Sequence, residues 1–334
     1  GTLILGDGSA AVHDLGTVIP VYRARRATLE DMLSRHLEMG DAVAWGDPSV
    51  SACGRCPVCV ETVDTSRDVL LVAGMRRTQR DRLWAADIRT IDDLASATDV
   101  VPGLPEGNLD RLRLQAQLQI RGEVESQLPF TVIETAALSA LPAPSQGDIF
   151  FDFEGDPMWQ DPSDRTWGLE YLFGVIEADT GDFVHFWADD REEEREALGA
   201  FLDYVSERRR RWPDMHIYHY ADYERAALLR LAGEFGEGED QVDDLLRAGV
   251  LVDLYPIVRG SIMVGSSSYG LKALEPLFLP EKRQGDVTTA GDSVVQYAAY
   301  CLEREQDNVE AASEVKKDIL NYNEQDCRST LLLR

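Results

Sequence analysis

Three short stretches of the sequence carry acidic residues at spacings that suit metal-dependent chemistry. The first, "GDIFFDFEGDP" at 147–157, ends an apolar run in Asp152, Glu154 and Asp156. Alternate side chains of a β-strand lie on one face about 7 Å apart, so Asp152 and Glu154 can act together. Carboxylates at the end of a buried strand repel each other and lose hydration, so we expect a cation to compensate them.

Two later stretches supply the remaining acids. "HYADYERAAL" has Asp222 and Glu224 where a strand gives way to a helix, and "YNEQDCRST" has Tyr322 and Asp326 one helical turn apart. Four converging carboxylates would hold two divalent cations, an arrangement suited to in-line hydrolysis of a phosphodiester. Oxygen ligands favour Mg²⁺ or Mn²⁺. A tyrosine near the last acid is placed to orient the attacking water.

The elements around these stretches predict a mixed α/β sheet. Five segments have strand patterns: 149–153, 170–178, 182–189, 216–220 and 251–258. The first three are suited to antiparallel pairing, and the later ones alternate with helices. This order favours a mixed sheet flanked by helices, preceded by a small, mostly helical region.

In this order and spacing, the motifs resemble the DEDDy exonucleases on an RNase H-like fold. The fuller resemblance is to bacterial RecB-like nuclease–helicase proteins with a YprB-type RNase H-like domain. It is carried by "FFDFEGDP", "GLEYLFGV", "DMHIYHYADYERAAL", "DDLLRAGVLVDLYPIVR", "SYGLKALEPLF" and "YNEQDCRSTLLLR", within about residues 50–334. The resemblance implies a metal-dependent 3′→5′ exonuclease of DNA that uses Mg²⁺ or Mn²⁺. It also implies the site residues: Asp152, Glu154, Glu224 and Asp326 as metal ligands, and Tyr322 as the motif tyrosine.

One position departs from the pattern of this family. DEDDy enzymes usually have Asp at the second motif, often with Asn near its start, whereas the register on Tyr223 gives Glu224 and Tyr220 here. Glutamate is one methylene longer, which changes the metal spacing, so Asp222 is the alternative ligand. Asp156 is expected to support the ligands rather than to bind metal.

A second function stays open at this point. A domain of this type can keep the fold and lose catalysis, and would then guide a nucleic-acid strand between a nuclease and a helicase. The implied partners are single-stranded DNA 3′ ends and a helicase domain in the same or another chain. RNA is a weaker candidate substrate.

Three cysteines form a compact group in "CGRCPVC": Cys53, Cys56 and Cys59. Thiolates at this spacing suit a 4Fe–4S iron–sulfur cluster or Zn²⁺, but no fourth ligand is nearby. The resemblance to RecB-like nucleases implies a cysteine upstream of Gly1. Residues 1–46 would then be the end of a PD-(D/E)xK nuclease domain. Zn²⁺ with His36 or a distant cysteine, and free thiols, are the alternatives.

A basic segment, "LLVAGMRRTQRDRL", resembles a helix–hairpin–helix, which offers backbone N–H groups to a phosphate. Gly74 is the predicted turn residue, and Arg76, Arg77, Arg80 and Arg82 add positive charge, the first three as candidates for contact with nucleic acid. Lys272 in "SYGLK" is a further candidate for contact with the substrate. The alternative for the basic segment is a helical packing module with a solvated basic face.

Composition and net charge argue against several classes of protein. The net charge of −27 argues against binding of nucleic acid or anionic membrane by the whole surface. No run of about 18 apolar residues predicts a transmembrane helix. Five cysteines are an odd number, which disfavours a disulfide framework, so we expect reduced thiols and a cytoplasmic protein.

We expect four parts in the 334 residues, enough chain for two or three cores. They are the nuclease remnant at 1–46, the cysteine group with the helix–hairpin–helix at 47–122, a linker at 123–146 and the RNase H-like exonuclease domain at 147–334. The chain starts without Met in the middle of a strand-and-turn pattern, which predicts a fragment of a longer protein.

Overall fold

The computed structural model describes residues 1–4, 9–40, 44–47, 53–54, 56–125, 127–161, 165–279 and 290–334. They form two compact units, one of residues 1–71 and 75–91 and one of residues 72–74 and 92–334. Within these described ranges, no helix combines the length and the hydropathy needed to cross a membrane. The turn expected after the first strand falls on residues 5–8, outside the described residues.

The first unit is mostly helical. It begins with an antiparallel hairpin of β1 (Thr2–Ile4) and β2 (Ala10–Val12), followed by α1 (Leu15–Met39), α2 (Pro57–Ser66) and α3 (Arg77–Ala85). A helix was predicted before Gly74, whereas the structure has a 3₁₀ turn at Val69–Leu71. The reason is non-local: Val69 N–H donates to the carbonyl of Arg89 rather than to the preceding turn.

The second unit contains the remaining elements, except that Ile91, the first residue of α4, belongs to the first unit. In chain order they are α4 (Ile91–Ser96), α5 (Glu106–Val124), β3 (Phe130–Val132), β4 (Ile149–Gln160), β5 (Trp167–Glu177), β6 (Phe183–Trp187), α6 (Arg191–Arg211), β7 (Ile217–His219), α7 (Tyr223–Phe235), α8 (Glu239–Arg247), β8 (Leu251–Asp253), α9 (Leu254–Ser261), β9 (Ile262–Val264), α10 (Leu271–Leu274), α11 (Ala290–Glu305) and α12 (Val309–Leu333). The segment 123–146 contains β3, which pairs antiparallel with β9.

The main sheet has five strands in the order β6-β5-β4-β7-β8. Strands β4, β5 and β6 pair antiparallel, while β4, β7 and β8 pair parallel. This confirms the predicted mixed sheet. Parallel neighbours need crossover connections. Helices α6, α7 and α8 belong to these connections, so that β4, β7 and β8 all start at the same end of the sheet.

Strand β4 lies in the centre of the sheet because apolar side chains leave it on both faces. Phe151 stacks on Phe201 of α6, with ring centroids 4.5 Å apart. Phe150 lies on the other face, in one buried cluster with Cys327 of α12. Side chains alternate along a strand, so Asp152 shares the face of Phe150 and is directed towards α12.

The fifth predicted strand, 251–258, was wrong in its second half. Strand β8 ends at Asp253, and α9 begins at Leu254. The Asp253 carboxylate accepts a hydrogen bond from Tyr255 N–H at 2.8 Å and so caps the helix. An N-cap therefore decides the conformation of an apolar run that strand and helix patterns describe equally well.

Candidate active site

Strand β4 and helix α12 bring three acidic side chains together. One carboxylate oxygen from each of Asp152, Glu154 and Asp326 lies within 4.8 Å of the other two. Glu154 and Asp326 are buried and Asp152 is half-buried. Asp156 is also buried, but its Oδ1 accepts from Met158 N–H at 2.8 Å, so it orders the strand instead. Three close carboxylate oxygens suit a hard divalent cation.

The fourth predicted ligand, Glu224, lies in the first turn of α7 with 3% of its surface exposed. Its carboxylate adjoins that of Asp152. Its Oε2 lies 3.3 Å from Nδ1 of His219, a buried residue at the end of β7. The alternative ligand, Asp222, is exposed and forms a 2.6 Å ion pair with Arg225. The structure thus places Glu224, and not Asp222, beside the other carboxylates.

The turn into α7 has an uncommon backbone conformation. Ala221 has φ of 74°, in the left-handed region that non-glycine residues rarely adopt. Its N–H donates to Asp253 Oδ1 at 2.8 Å, and its carbonyl oxygen lies 2.7 Å from Nδ1 of His219. These contacts hold the bend from which Glu224 enters the site.

Replacement of the two acids at this junction should separate them. Glu224→Gln removes a buried charge from the carboxylate cluster, so we expect metal-dependent activity to fall by at least about 100-fold, the upper end for residues that merely support a ligand. Asp222→Asn should stay near the wild-type rate because it loses only a surface ion pair. Initial rates of the metal-dependent reaction at saturating Mn²⁺ measure both effects. Thermal unfolding checks that each variant folds. Loss of activity in Asp222→Asn alone would reverse the assignment.

Burial raises the pKa of three carboxyl groups in the cluster, and repulsion by neighbouring carboxylates adds to the rise for two of them. Burial raises the pKa of Asp152 well above its usual 3.8, and the neighbouring carboxylates raise it further. Burial and Asp326 raise the pKa of Glu154 to about 8. Burial also raises the pKa of Glu224. Without metal, the site therefore retains protons near neutral pH that a divalent cation would replace.

A buried carboxamide, Asn323, supports the cluster from α12. Its Nδ2 donates to Oδ2 of Asp152 at 2.8 Å and to the Asp152 carbonyl at 3.3 Å. Gly174 on β5 makes room for it, because a Cβ at that position would lie 1.5 Å from Asn323 Oδ1. Asn323 was not among the site residues predicted from the sequence. Its signal was a carboxamide between Tyr322 and Asp326 on the buried side of the helix.

A second neutral group, Ser293 of α11, was also missed. The side chain is fully buried, and its hydroxyl opposes the rise in the pKa of Glu154. Its Oγ lies 2.6 Å from the hydroxyl of Tyr171 on β5. A single serine in a helical pattern carries no sequence signal, so only the packing of α11 shows its position.

Tyr322 and Lys272 form a contact at the edge of the cluster. Lys272 Nζ donates a hydrogen bond to the Tyr322 hydroxyl and lies 4.4 Å from the centroid of its ring. Burial raises the pKa of Glu154, and the positive charge of Lys272 opposes that rise. Lys272, predicted as a nucleic-acid contact, is thus half-buried beside the carboxylates.

The carboxylates line one part of a cavity of about 470 Å³. The rest of its wall is mostly aromatic and apolar and includes Pro157, Tyr220, Tyr223, Val294 and Tyr322. A cavity of this size accepts a small ligand or the end of a polymer.

The cysteine group lies in the first unit. A sulfur from each of Cys53, Cys56 and Cys59 lies within 4.8 Å of the others. Backbone N–H groups point at two of these sulfurs, Cys56 N at 3.2 Å from Cys53 Sγ and Cys59 N at 3.4 Å from Cys56 Sγ. Three cysteine sulfurs this close together, two of them facing backbone donors, fit a thiophilic metal or an iron–sulfur cluster.

The basic residues of the predicted helix–hairpin–helix differ in their availability. Arg76 and Arg77 are exposed at the start of α3. Arg80 is buried, and its guanidinium forms a bidentate ion pair with Asp68. Gly74 has φ of 80°, as expected of a turn glycine. Of these three arginines, Arg76 and Arg77 are therefore the ones placed for contact with a phosphate.

A family model described as the RNase H superfamily matches residues 149–334, more than half of the chain. The chain belongs to the RNase H superfamily. The match begins at β4 and ends after α12, so it includes every carboxylate of the cluster and the buried side chains of Asn323 and Ser293. No curated protein and no solved structure matches the chain.

Membership of the RNase H superfamily agrees with the mixed sheet and with the site. Domains of this superfamily are mostly nucleases, and such nucleases typically use divalent metals. The carboxylate oxygens at the cluster are the ligand type that such ions prefer. Residues 1–148 lie outside the match to the RNase H superfamily, so the cysteine group and the basic segment carry no family assignment.

Proposed function

We propose that the RNase H superfamily domain is a divalent-metal-dependent 3′→5′ exonuclease that hydrolyses phosphodiester bonds of DNA. The observation that carries this proposal is the approach of Asp152, Glu154 and Asp326 oxygens within 4.8 Å, with Glu224 beside Asp152. An all-oxygen donor set favours Mg²⁺ or Mn²⁺. The position of the acids on the sheet of a nuclease superfamily supports the same conclusion.

Each group of residues in the site has a separate role in the proposed reaction. The four carboxylates would hold two ions, and bound Mg²⁺ or Mn²⁺ would supply the Lewis acidity that activates water and stabilises the leaving 3′ oxygen. Asn323 fixes the orientation of Asp152. The hydroxyl of Tyr322, in the cavity wall, orients the attacking water. Lys272 holds that tyrosine and places positive charge near the phosphate.

The form of the cavity supports attack at a strand end. Its volume of about 470 Å³ is that of a small-ligand site. The ring of Tyr223 lines this cavity and is about half exposed, which suits stacking of one unpaired base. We therefore favour a single-stranded 3′ terminus over an internal position in a duplex.

Single-stranded DNA labelled at its 3′ end tests the proposal. We expect early release of labelled mononucleotide with Mn²⁺ and none with a chelator. A strand of the same sequence labelled at its 5′ end should shorten progressively and keep its label until late. Cleavage of circular single-stranded DNA would contradict an exonuclease, early release of the 5′ label would reverse the polarity, and faster cleavage of the matching RNA would change the substrate.

We further propose that this activity belongs to a larger assembly. We propose that residues 1–46 end a PD-(D/E)xK nuclease domain and that a helicase domain acts with this chain in the cytoplasm. Exposed Arg76 and Arg77 would offer a local phosphate contact. The cysteine group would hold an iron–sulfur cluster or Zn²⁺. Iron and zinc analysis of anaerobically purified protein separates these two alternatives.

A specific contact favours a second candidate function, a guiding module with little catalysis. Although burial lowers it, the pKa of His219 is raised by the carboxylate of Glu224, which lies 3.3 Å from its Nδ1. A protonated His219 would neutralise one of the four carboxylates and weaken a second ion. In that case DNA binding would persist without release of nucleotides.

A further inference from the structure

We propose that Glu170 is a positioning residue for the base at the end of the substrate strand, because its carboxylate holds the ring of Tyr223 in the cavity wall. This inference rests on the proposed function, in which one unpaired base stacks on Tyr223. It assigns a role to a buried carboxylate of β5 that is not among the predicted metal ligands.

The hydroxyl of Tyr223 contacts both oxygens of one carboxylate. It lies 2.9 Å from Oε1 and 2.9 Å from Oε2 of Glu170. An ionised carboxylate only accepts hydrogen bonds, so the phenol donates. Tyr223 is 52% exposed, whereas Glu170 is 5% exposed. The hydroxyl end of the ring is therefore anchored in the protein, while the ring stays available in the cavity wall.

Glu170 is itself held from two sides. Its backbone N–H donates to Oε1 of Glu194 at 2.6 Å, and its carboxylate forms an ion pair with Arg230. Arg230 lies two helical turns after Tyr223 on α7, so both side chains leave the same face of that helix. One carboxylate of β5 thus bridges two residues of α7. The ion pair also neutralises a negative charge that would otherwise repel a phosphate strand.

The neighbouring strand leaves room for this contact. Gly155 on β4 pairs with Glu170, and a Cβ at Gly155 would lie 2.1 Å from Glu170 Oε2 and 3.1 Å from the Tyr223 hydroxyl. Phe153 meets the ring of Tyr223 edge to face, with centroids 6.5 Å apart and planes at 76°. Phe153 and Gly155 flank Glu154, so the ring lies beside the strand segment that carries this proposed metal ligand.

A ring that is held in advance binds a base more tightly than a mobile ring. Stacking on an aromatic side chain typically strengthens the binding of one base by about 5- to 150-fold. A ring that rotates freely must lose that freedom when a base stacks on it, and this loss subtracts from the gain. The hydrogen bond to Glu170 removes the freedom before the substrate arrives.

Two single-stranded DNA substrates that differ only in the last nucleotide test the inference. One ends in an intact 3′ nucleotide and the other in the same nucleotide without its base. Both carry a 5′ label, and the first cleavage is followed with Mn²⁺. We expect wild type to prefer the intact end by about 10-fold in kcat/KM, and Tyr223→Ala to lose this preference. Glu170→Ala should retain a preference of only about 3-fold, because the ring remains but is no longer held.

The preference is a ratio of two rates, so a fraction of misfolded protein, which lowers both rates equally, does not change it. Tyr223→Phe removes the same hydrogen bond from the other partner and leaves the ion pair between Glu170 and Arg230 in place. It should lower the preference as much as Glu170→Ala does. The double variant should lower it no further, because both substitutions remove one interaction. Losses that multiply in the double variant would contradict the inference.

Glu177→Ala is the matched control. Glu177, roughly 20 Å along β5, accepts a hydrogen bond from Tyr204 at 2.7 Å and forms an ion pair with Arg208 at 2.7 Å. It makes the same kind of contact away from the carboxylate cluster, so the preference should stay at the wild-type value.

A wild-type preference in Glu170→Ala, or equal losses in Glu170→Ala and Glu177→Ala, would overturn the positioning role. Equal cleavage of the two strands by wild type would also overturn it, because no base would then be recognised. Absence of nucleotide release by wild type would instead overturn the proposed function.

Discussion

Asp152→Asn and Asp326→Asn should each reduce metal-dependent nucleotide release by about 10³-fold or more, because each removes negative charge that would hold the cations needed to stabilise the reacting phosphate. A carboxamide keeps the shape of the side chain but loses the negative charge and one acceptor oxygen. Both residues belong to the group whose oxygens lie within 4.8 Å, so neither can be replaced by a small shift of the other. Labelled single-stranded DNA with Mn²⁺ provides the measurement.

The two variants should fold at least as well as wild type when metal is absent. Neighbouring carboxylates and burial both oppose ionisation of Asp152, so its removal relieves repulsion in the apo protein. Thermal unfolding without metal checks this point. The double variant should lose little more activity than either single one, because the two residues act as one unit.

Asp182→Asn is the matched control for these substitutions. Asp182 is exposed and lies between β5 and β6, so its replacement should leave both activity and stability unchanged. Equal nucleotide release by wild type and Asp152→Asn would show that the cluster is not the active site. Activity would then come from elsewhere, or from a contaminant.

The strand that carries the first acids was predictable because its pattern is simple. An apolar run that ends in alternating acids allows one face to meet a core and the other to meet a cation. Phe151 and Asp152 lie on opposite faces of β4, as alternation requires. The final helix was predictable for the same reason, since Tyr322 and Asp326 are one turn apart.

Two other parts of the site depend on tertiary contacts that no local pattern contains. Glu224 and Asp222 are two residues apart, and both are plausible in the sequence. The choice between them depends on the bend at Ala221, which Asp253 of another strand stabilises. Nothing in the sequence marks Gly174 either, because its role is to leave space for Asn323. Such positions are set by distant residues, so they become visible only in the folded chain.

The electrostatics of the cluster predict how pH changes stability without metal. The pKa of Glu154 is about 8 in the folded protein and about 4.5 when exposed, and burial raises the pKa of Asp152 and Glu224 in the same direction. The folded state therefore binds more protons than the unfolded state between about pH 4.5 and pH 8. Stability must fall as pH rises through this window and is highest below it, as far as these groups are concerned.

Mn²⁺ should reverse this loss. At about 100 times its dissociation constant, a ligand that binds only the folded state adds about 2.7 kcal/mol, which corresponds to a rise in Tm of roughly 5–10 °C for a domain of this size. The rise should be larger at pH 8 than at pH 5.5, because the cation competes with the protons on Asp152 and Glu154. Calorimetric scans at both pH values, with and without Mn²⁺, measure this rise in Tm.

Asp326→Asn should lose most of the Mn²⁺-dependent rise in Tm, and Asp182→Asn should keep it. A shift that survives in Asp326→Asn would place the ion outside the carboxylate cluster, since a buried site that lacks one of its charges cannot repay the desolvation of the others.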